Sequence, residues 1–320
     1  MGYGDKTLAE WLDGTGPRGQ RIPNNSINLN YFITEEQFKD LFYEKKLRYR
    51  EILEIIKFPY NPAAFSRLVR RLGWKAELGR IDTYSSDGAV FDNLTRQSAW
   101  MYGWIITDGH VNDKYVGVRL QSSDIDVVRK IQSHIKFDGP LYEYPGKCEV
   151  RAYNRKMVTS LRNLGIPKRN KTFNATYPEN LPEHLLWDFI RGAFEGDGCV
   201  SVSARGGTIK VSLCGAAESF MLRVNDILVS EGINVRLYRR NDSFITLHAV
   251  SQSDALRWLY LMYRNTDVSI RMDRKFNKFV EFVRTYHDRS RKSAEAAEVI
   301  EQVNREIPEC TQTSHELIAA

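Results

Sequence analysis

Phe189-Ile190-Arg191-Gly192-Ala193-Phe194-Glu195-Gly196-Asp197-Gly198 is the stretch that decides the fold, and Trp100-Met101-Tyr102-Gly103-Trp104-Ile105-Ile106-Thr107-Asp108-Gly109 repeats its plan. Each is a short apolar run ending in Asp-Gly, with a small residue four positions before another. On a helix that spacing puts Gly103 and Thr107 on one face, and Gly192 and Gly196 on another. Small residues so placed let two helix backbones approach closely, a packing logic best known from membranes but not confined to them. If the two helices pack side by side, Asp108 and Asp197 arrive at the same end of the pair. Two carboxylates there repel unless a positive charge lies between them, and a divalent cation with oxygen ligands fits.

The two stretches resemble the paired signature of the LAGLIDADG homing endonucleases, in the form where one chain carries both copies. The letters are degenerate, but Gly-x-x-x-(small)-Asp-Gly is kept in each, and the second copy, followed by Cys199-Val200-Ser201-Val202, is the stronger. The resemblance implies that Asp108 and Asp197 bind Mg²⁺, with Mn²⁺ able to substitute, and that each aspartate serves one strand of a double-stranded DNA target cut across its minor groove. Such ions polarise the phosphate and lower the pKa of an attacking water. The backbone carbonyls of Thr107 and Gly196 are the implied further ligands. The basic, proline-broken connection Gly165-Ile166-Pro167-Lys168-Arg169-Asn170-Lys171-Thr172 resembles the segment that brings a lysine near the scissile phosphate, with Lys171 the candidate and Lys168 its rival. In the second half Lys275, in Arg271-Met272-Asp273-Arg274-Lys275-Phe276, takes that part. Both lysines would stabilise charge building on the phosphate. Glu195 reads as a helix charge facing the linker or solvent.

The rest of the chain is compatible with this reading. Its 320 residues can hold two domains, and a net charge of +6 suits a polyanion without naming one. Four scattered cysteines lack a Cys-x-x-Cys pair and six histidines lack metal-motif spacing, so reduced thiols are expected and a zinc site is not. No apolar run reaches membrane-spanning length. A cytoplasmic protein is expected, with the nucleoid, a phage-infected cell or an organelle as settings. Met1 at one end and Ala319-Ala320 at the other favour a free-standing or intron-encoded protein over an intein-embedded one.

Residues 1–33 read as a loose arm. Residues 34–80 read as a helix-turn-helix module. Thr34 and Gln37 make a capping box for a first helix, and a second runs over Tyr49–Ile56. Asn61-Pro62 starts a third, Ala63–Leu72, closed by Gly73. Its inner face is Phe65, Leu68, Val69 and Leu72, and its outer face is Ser66, Arg67, Arg70 and Arg71. The stretch also resembles the small helix-turn-helix modules that accompany phage and intron endonucleases. In that setting Arg67 and Arg70 would reach base edges or phosphates in the major groove. Residues 81–96 read as a linker.

From 97 to 287 the pattern repeats. In the first half, about 97–176, Val116, Val118 and Leu120 alternate with Gly117, Arg119 and Gln121, which makes a strand with one apolar and one polar face. Helices are expected over Asp124–Ile135 and Arg155–Leu164, and strands over Leu141–Tyr144 and Glu149–Tyr153. The second half, about 177–287, repeats the order, with hairpins around Arg205-Gly206-Gly207 and Asn241-Asp242. The predicted class is α+β: two pseudo-symmetric αββαββα halves forming a DNA-binding saddle, preceded by a small all-α domain. Arg119, Gln121, Tyr142 and Arg151 in one half, with Arg205, Lys210 and Arg239 in the other, are the candidate DNA contacts. The halves differ in letters, so a long target with two unlike half-sites and a monomeric protein are expected. Residues 288–320 read as a polar, acidic tail with one helix near Ala294–Arg305.

A rival from another class is a non-cleaving nucleic-acid-binding protein, because the resembled scaffold also serves as an intron RNA maturase and as a transcriptional regulator. Retention of both aspartates argues for cleavage, since a scaffold used only for binding is free to lose them.

Overall fold

The computed structural model describes residues 29–45, 47–58, 61–74, 84–203, 207–241, 244–286 and 293–310. The chain divides into two compact units, Met1–Tyr84 and Ser85–Ala320.

Every regular element among the described residues of the first unit is helical. Helix α1, Glu35–Lys39, opens on the expected capping box, with Gln37 N donating to Thr34 Oγ1 at 3.2 Å and Thr34 N donating to Gln37 Oε1 at 3.0 Å. It runs on into a π-helical turn, Asp40–Glu44. Helix α2 is Tyr49–Ile55 and α3 is Pro62–Arg71, where Ala64 N donates to Asn61 Oδ1 at 3.0 Å. The three close on Phe38, Ile52, Phe65, Val69 and Trp74. Leu29 and Ile33 join that core, so the end of the expected loose arm is packed; residues 1–28 lie outside the described residues. Leu72, expected inside, is 38 % exposed. The chain turns at Gly73, with φ +69°, and Trp74 N donates to Val69 O at 3.2 Å, so the indole takes the place expected for the leucine.

The second unit begins earlier than the expected linker allows. Ser85 N donates to Asp138 Oδ1 at 2.6 Å, Asp87 N to Ile135 O at 2.7 Å, and Ser160 Oγ to Asp92 Oδ1 at 2.5 Å, while Phe91 is buried. Residues 75–83 lie outside the described residues. The pattern looked like a linker because short polar side chains, not an apolar stripe, hold the segment from 85 onward.

The first half runs α4 (Arg96–Thr107), β1 (Gly109–Val111), β2 (Val116–Gln121), α5 (Ile125–His134), β3 (Tyr142–Tyr144), β4 (Lys147–Ala152) and α6 (Arg155–Asn163). A short helix, α7 (Lys171–Asn174), stands in the connection. The second half repeats the order: α8 (Leu186–Asp197), β5 (Gly198–Val202), β6 (Ile209–Gly215), α9 (Glu218–Ser230), β7 (Val235–Asn241), β8 (Phe244–Ala249) and α10 (Gln252–Tyr263), followed by α11 (Asp273–Tyr286) and α12 (Ala294–Glu306). The strands form two four-stranded antiparallel sheets, ordered β1-β2-β4-β3 and β5-β6-β8-β7. One face of each sheet is apolar: Val116, Val118, Leu120 and Val150 in the first, Val200, Val211, Leu213 and Leu247 in the second, all buried. Helices α5 and α9 cover those faces with Val127, Val128 and Ile131, and with Phe220, Met221, Val224 and Leu228. The opposite faces carry the polar residues, as period-two alternation requires.

Over residues 293–310 the acidic tail packs against the second half. Helix α12 buries Ala296, Val299, Ile300 and Val303 and packs on α10, while Tyr260 OH donates to Glu306 and Arg271 pairs with Glu309 at 2.9 Å. Its charges line one face of an amphipathic helix, which composition alone does not reveal. Among the described residues no helix is long and apolar enough to cross a membrane, and all four cysteines are free.

Candidate active site where two helices meet

Helix α4 starts at a Thr95 cap and is buried from Ser98 to Ile106; α8 is buried from Asp188 to Glu195. Their backbones touch. A Cβ built on Gly103 would lie 2.5 Å from Ala193 N, and one on Gly192 would run into the Trp100 carbonyl oxygen. No side chain fits at either place, which is why both positions are glycine. Towards the C-terminal ends, a Cβ on Gly196 would strike Thr107 Oγ1 and lie 2.8 Å from Asp108 Oδ2. Thus Gly103, Thr107, Gly192 and Gly196 all stand at the helix interface, and Asp108 and Asp197 close its end together.

Asp108 is half-buried and Asp197 opens to solvent. Neither carboxylate receives a hydrogen bond from the described residues; what surrounds them is charge. Burial of the site raises the Asp108 carboxyl above its ordinary range, against the pull of Lys171 and Lys275. Burial, then the neighbouring Asp108, pushes Asp197 up to about 6. A carboxyl raised in the folded state stabilises the fold while it is protonated, and that contribution is lost as the pH rises from about 4 through about 6. In the presence of a chelator, Asp197→Asn is therefore expected to raise the thermal midpoint at pH 7.5 and to leave it nearly unchanged at pH 4. Equal midpoints at pH 7.5 would contradict the electrostatic account.

The lysines are arranged differently from the sequence expectation. Lys171 Nζ donates to the carbonyls of Ile105, Ile106 and Thr107 at 2.8, 2.8 and 2.6 Å. Lys275 Nζ donates to those of Phe194, Glu195 and Gly198 at 3.0, 2.6 and 2.6 Å. Each ammonium has three donors, and each set lies on carbonyls at the C-terminal end of a helix, where Phe194 O also accepts from Gly198 N. Their N–H groups are aimed at backbone rather than at an incoming phosphate, so the two charges act from behind the aspartates. Burial lowers both to about 8. The Thr107 carbonyl, expected as a metal ligand, is one of the Lys171 acceptors; a carbonyl keeps a second lone pair. Gly196 holds the corresponding position in α8.

Glu195 corrects the sequence reading outright. It is 1 % exposed and faces neither linker nor solvent. Trp100 Nε1 donates to its Oε2 at 2.7 Å, while Tyr263 OH and Met272 N donate to its Oε1 at 3.2 and 2.8 Å. Helix α8 is enclosed on every side, so no face remains for a solvated charge. Burial raises the Glu195 carboxyl. The residue ties the start of α11, and with it Lys275, to the end of α8. Glu195→Leu would strand these donors in the core, and about 3 kcal/mol of stability should be lost in urea unfolding; a loss below about 1 kcal/mol would show that the contacts are idle. Arg191 is equally buried and donates to the carbonyls of Ile270 and Met262 and to Asp188.

The candidate DNA contacts divide. Register places Arg119 opposite Glu149, Gln121 opposite Lys147, Tyr142 opposite Glu149 and Arg151 opposite Gly117, all on the outer face of the first sheet. Lys210 is exposed on the outer face of the second sheet. Arg239 is not there: it stands opposite the buried Ile245 and pairs with Glu218 at the start of α9, on the helix-covered side. Alternation along the strand gives the same answer, since Arg239 is two residues on from Leu237, which stands opposite the buried Leu247. Arg205 lies outside the described residues. Arg236, Tyr238 and His248 occupy the outer face instead, with Arg236 donating to Tyr238 OH at 3.1 Å. Exposed aromatic and basic residues two apart on an edge strand were the available signal. In the first unit, Arg67, Arg70 and Arg71 are exposed on α3 and Ser66 is half-buried.

Two glycine-packed helices ending in aspartates, each leading into paired hairpins and helices, define a two-repeat α+β scaffold around a carboxylate pair. Residues 186–261, from α8 into α10, match the family model of the LAGLIDADG-like domain. No curated protein sequence matches the chain. Among solved structures, it is similar to the homing endonuclease I-DmoI in complex with DNA and Ca, at 12 % identity and a TM-score of 0.40 over 53 % of this chain and 90 % of that one. The I-LtrWI LAGLIDADG homing endonuclease bound to target DNA aligns at 11 % identity and 0.40 over 67 % and 98 %. Full-length DUF199/WhiA from Thermatoga maritima aligns at 12 % and 0.40 over 68 % and 71 %.

Proposed function

We propose that the chain is a site-specific double-strand DNA endonuclease, hydrolysing phosphodiester bonds with a divalent metal held by Asp108 and Asp197. One observation carries the reading: two carboxylates on which the described residues place no hydrogen-bond donor, at the joined ends of helices whose backbones touch. An all-oxygen, doubly negative donor set suits a hard cation such as Mg²⁺, with Mn²⁺ able to replace it. When bound, that cation supplies Lewis-acid polarisation of the phosphate and an acidified water. The chain's own residues hold and orient. Asp108 and Asp197 are the ligands, with carbonyls of Thr107 and Gly196 beside them. Lys171 and Lys275 fix the helix ends and keep positive charge where the phosphate's negative charge grows. The outer sheet faces, with Arg119, Gln121, Tyr142 and Arg151 on one and Lys210 and Arg236 on the other, would lie on DNA. Because the faces differ, the target is long and asymmetric, and a chain with both halves acts as a monomer. The α3 residues Ser66, Arg67, Arg70 and Arg71 would add a helix-turn-helix contact.

The test is cleavage. The purified protein is incubated with a random-site plasmid library in Mg²⁺ and in Mn²⁺, and new ends are sequenced. Ends at one long asymmetric site are expected. No ends, with tight binding to one duplex or to a structured intron RNA, would replace this reading with that of a non-cleaving regulator or maturase.

A further inference from the structure

The outer face of the first sheet holds a carboxylate where a solvated strand residue belongs. Glu149 lies within β4, yet it is 0 % exposed. Arg119 Nε and NH2 donate to its Oε2 at 2.9 and 2.7 Å. Arg151 donates through Nε to Oε1 at 2.8 Å and through NH2 to Oε2 at 2.9 Å. His110 Nε2 stands 3.1 Å from Oε1. Aromatic rings flank the same guanidinium groups: Arg119 lies 4.8 Å from the Tyr144 ring, and Arg151 lies 4.9 Å from the rings of both Tyr115 and Tyr142. The backbone is shaped for this cluster. A Cβ on Gly117 would come within 2.5 Å of His110 Nε2 and 3.1 Å of Glu149 Oε1.

A free arginine samples many rotamers and loses them on contact with a base. One held by a carboxylate fork and a ring face has its plane fixed beforehand. The pair with Glu149 uses Nε and NH2 of each guanidinium and leaves NH1 outside it, and Arg151 is further hydrogen-bonded to Tyr153. Two arginines over one glutamate keep a net positive charge, so the cluster still attracts a polyanion. Arg151 stands opposite Gly117, two positions from Arg119, so the two side chains leave the sheet diagonally, about 7 Å apart. Their guanidinium groups then converge on one carboxylate, both NH2 atoms donating to Glu149 Oε2 at 2.7 and 2.9 Å, so they present donors at the spacing of adjacent base pairs, about 3.4 Å, rather than further apart. Guanine is the base whose major-groove edge offers two acceptors to such a donor. Among the described residues the second sheet has no equivalent anchor. Its described outer-face residues on β6 and β8 include Lys210, Ser212, Cys214, Thr246 and His248, and no carboxylate.

We propose that Glu149 is a positioning residue for base recognition, fixing Arg119 and Arg151 as a rigid pair that reads two guanines in neighbouring base pairs of the half-site under the first sheet. The inference rests on the DNA-binding part of the reading above, not on cleavage. The half-site under the second sheet is then specified less sharply.

The experiment selects bound duplexes from a random-sequence library, in chelator so that nothing is cut, with wild type, Glu149→Gln, Arg119→Lys and Arg151→Lys. Wild-type sites should carry the two guanines. Glu149→Gln should lose about ten-fold in preference at both positions while its affinity for bulk DNA stays within about three-fold. Each lysine variant should lose its own guanine alone and keep the salt dependence of bulk binding. A purely structural glutamate would instead lower the thermal midpoint and leave the preferences in place. Unchanged preferences in Glu149→Gln would overturn the proposal. So would lysine variants that weaken binding evenly across all sequences, and these decide the matter if Glu149→Gln does not fold. A wild type that selects no sequence removes the DNA-binding reading itself, an outcome separate from the failure of Glu149.

Discussion

Asp197→Asn should abolish double-strand cleavage while leaving DNA affinity within a few-fold. A metal ligand at a phosphoryl centre supports several kcal/mol of transition-state stabilisation, so the loss should reach about 10³-fold or more. Asparagine keeps the size of the side chain, and no hydrogen bond is broken, because the described residues place no donor on the carboxylate. In the proposed reading, binding relies on sheet faces and phosphate contacts away from the helix ends and should persist. Asp108→Asn should behave alike. Rates come from single-turnover cleavage of a labelled target, and affinity from a shift assay in chelator. A variant that cuts within ten-fold of wild type would remove the aspartate from the chemistry.

Gly192→Val should be the most damaging single change to the fold. The added side chain would start inside the Trp100 carbonyl, and that backbone belongs to a buried helix with nowhere to go. Overpacking typically costs 1–3 kcal/mol where side chains can yield, so about 3 kcal/mol or more is expected where only backbone can. For a unit of this size that is a fall of roughly 10 °C in thermal midpoint. Gly215→Ala is the control. Its new Cβ would meet the flexible end of Met221, Sδ at 2.9 Å, which can shift. A midpoint for Gly192→Val equal to that of the control would contradict the close packing of α4 on α8.

These glycines are also where the sequence was most legible. A small residue four before another, twice, before Asp-Gly, fixes which faces touch and where the aspartates go, because the constraint is local and steric. The helices and most strands were readable for the same reason: their apolar periods are intact. What stayed hidden depends on partners far along the chain. Glu195 looks like any helix charge until Trp100, Tyr263 and Met272 close around it. Lys171 and Lys275 were legible as important but not as caps, since the carbonyls they meet carry no side-chain signal. Arg239 reads as a DNA contact by residue type alone, whereas alternation from Leu237 puts it on the helix-covered face. Glu149 gave no sign that a mid-strand carboxylate would be buried beneath two arginines. The tail and residues 85–95 pack through sparse or amphipathic contacts that composition alone reads as loose.

The central claim is that Asp108 and Asp197 form one cation site. Calorimetric titration of Mn²⁺ into wild type and into the Asp108→Asn/Asp197→Asn double variant at pH 7.5 tests it most directly. The account predicts saturable binding in wild type that weakens as the pH falls through about 6, where Asp197 takes up its proton, and no such binding in the double variant. Binding of equal strength in the double variant would place the metal elsewhere and leave the two aspartates without the role given them here.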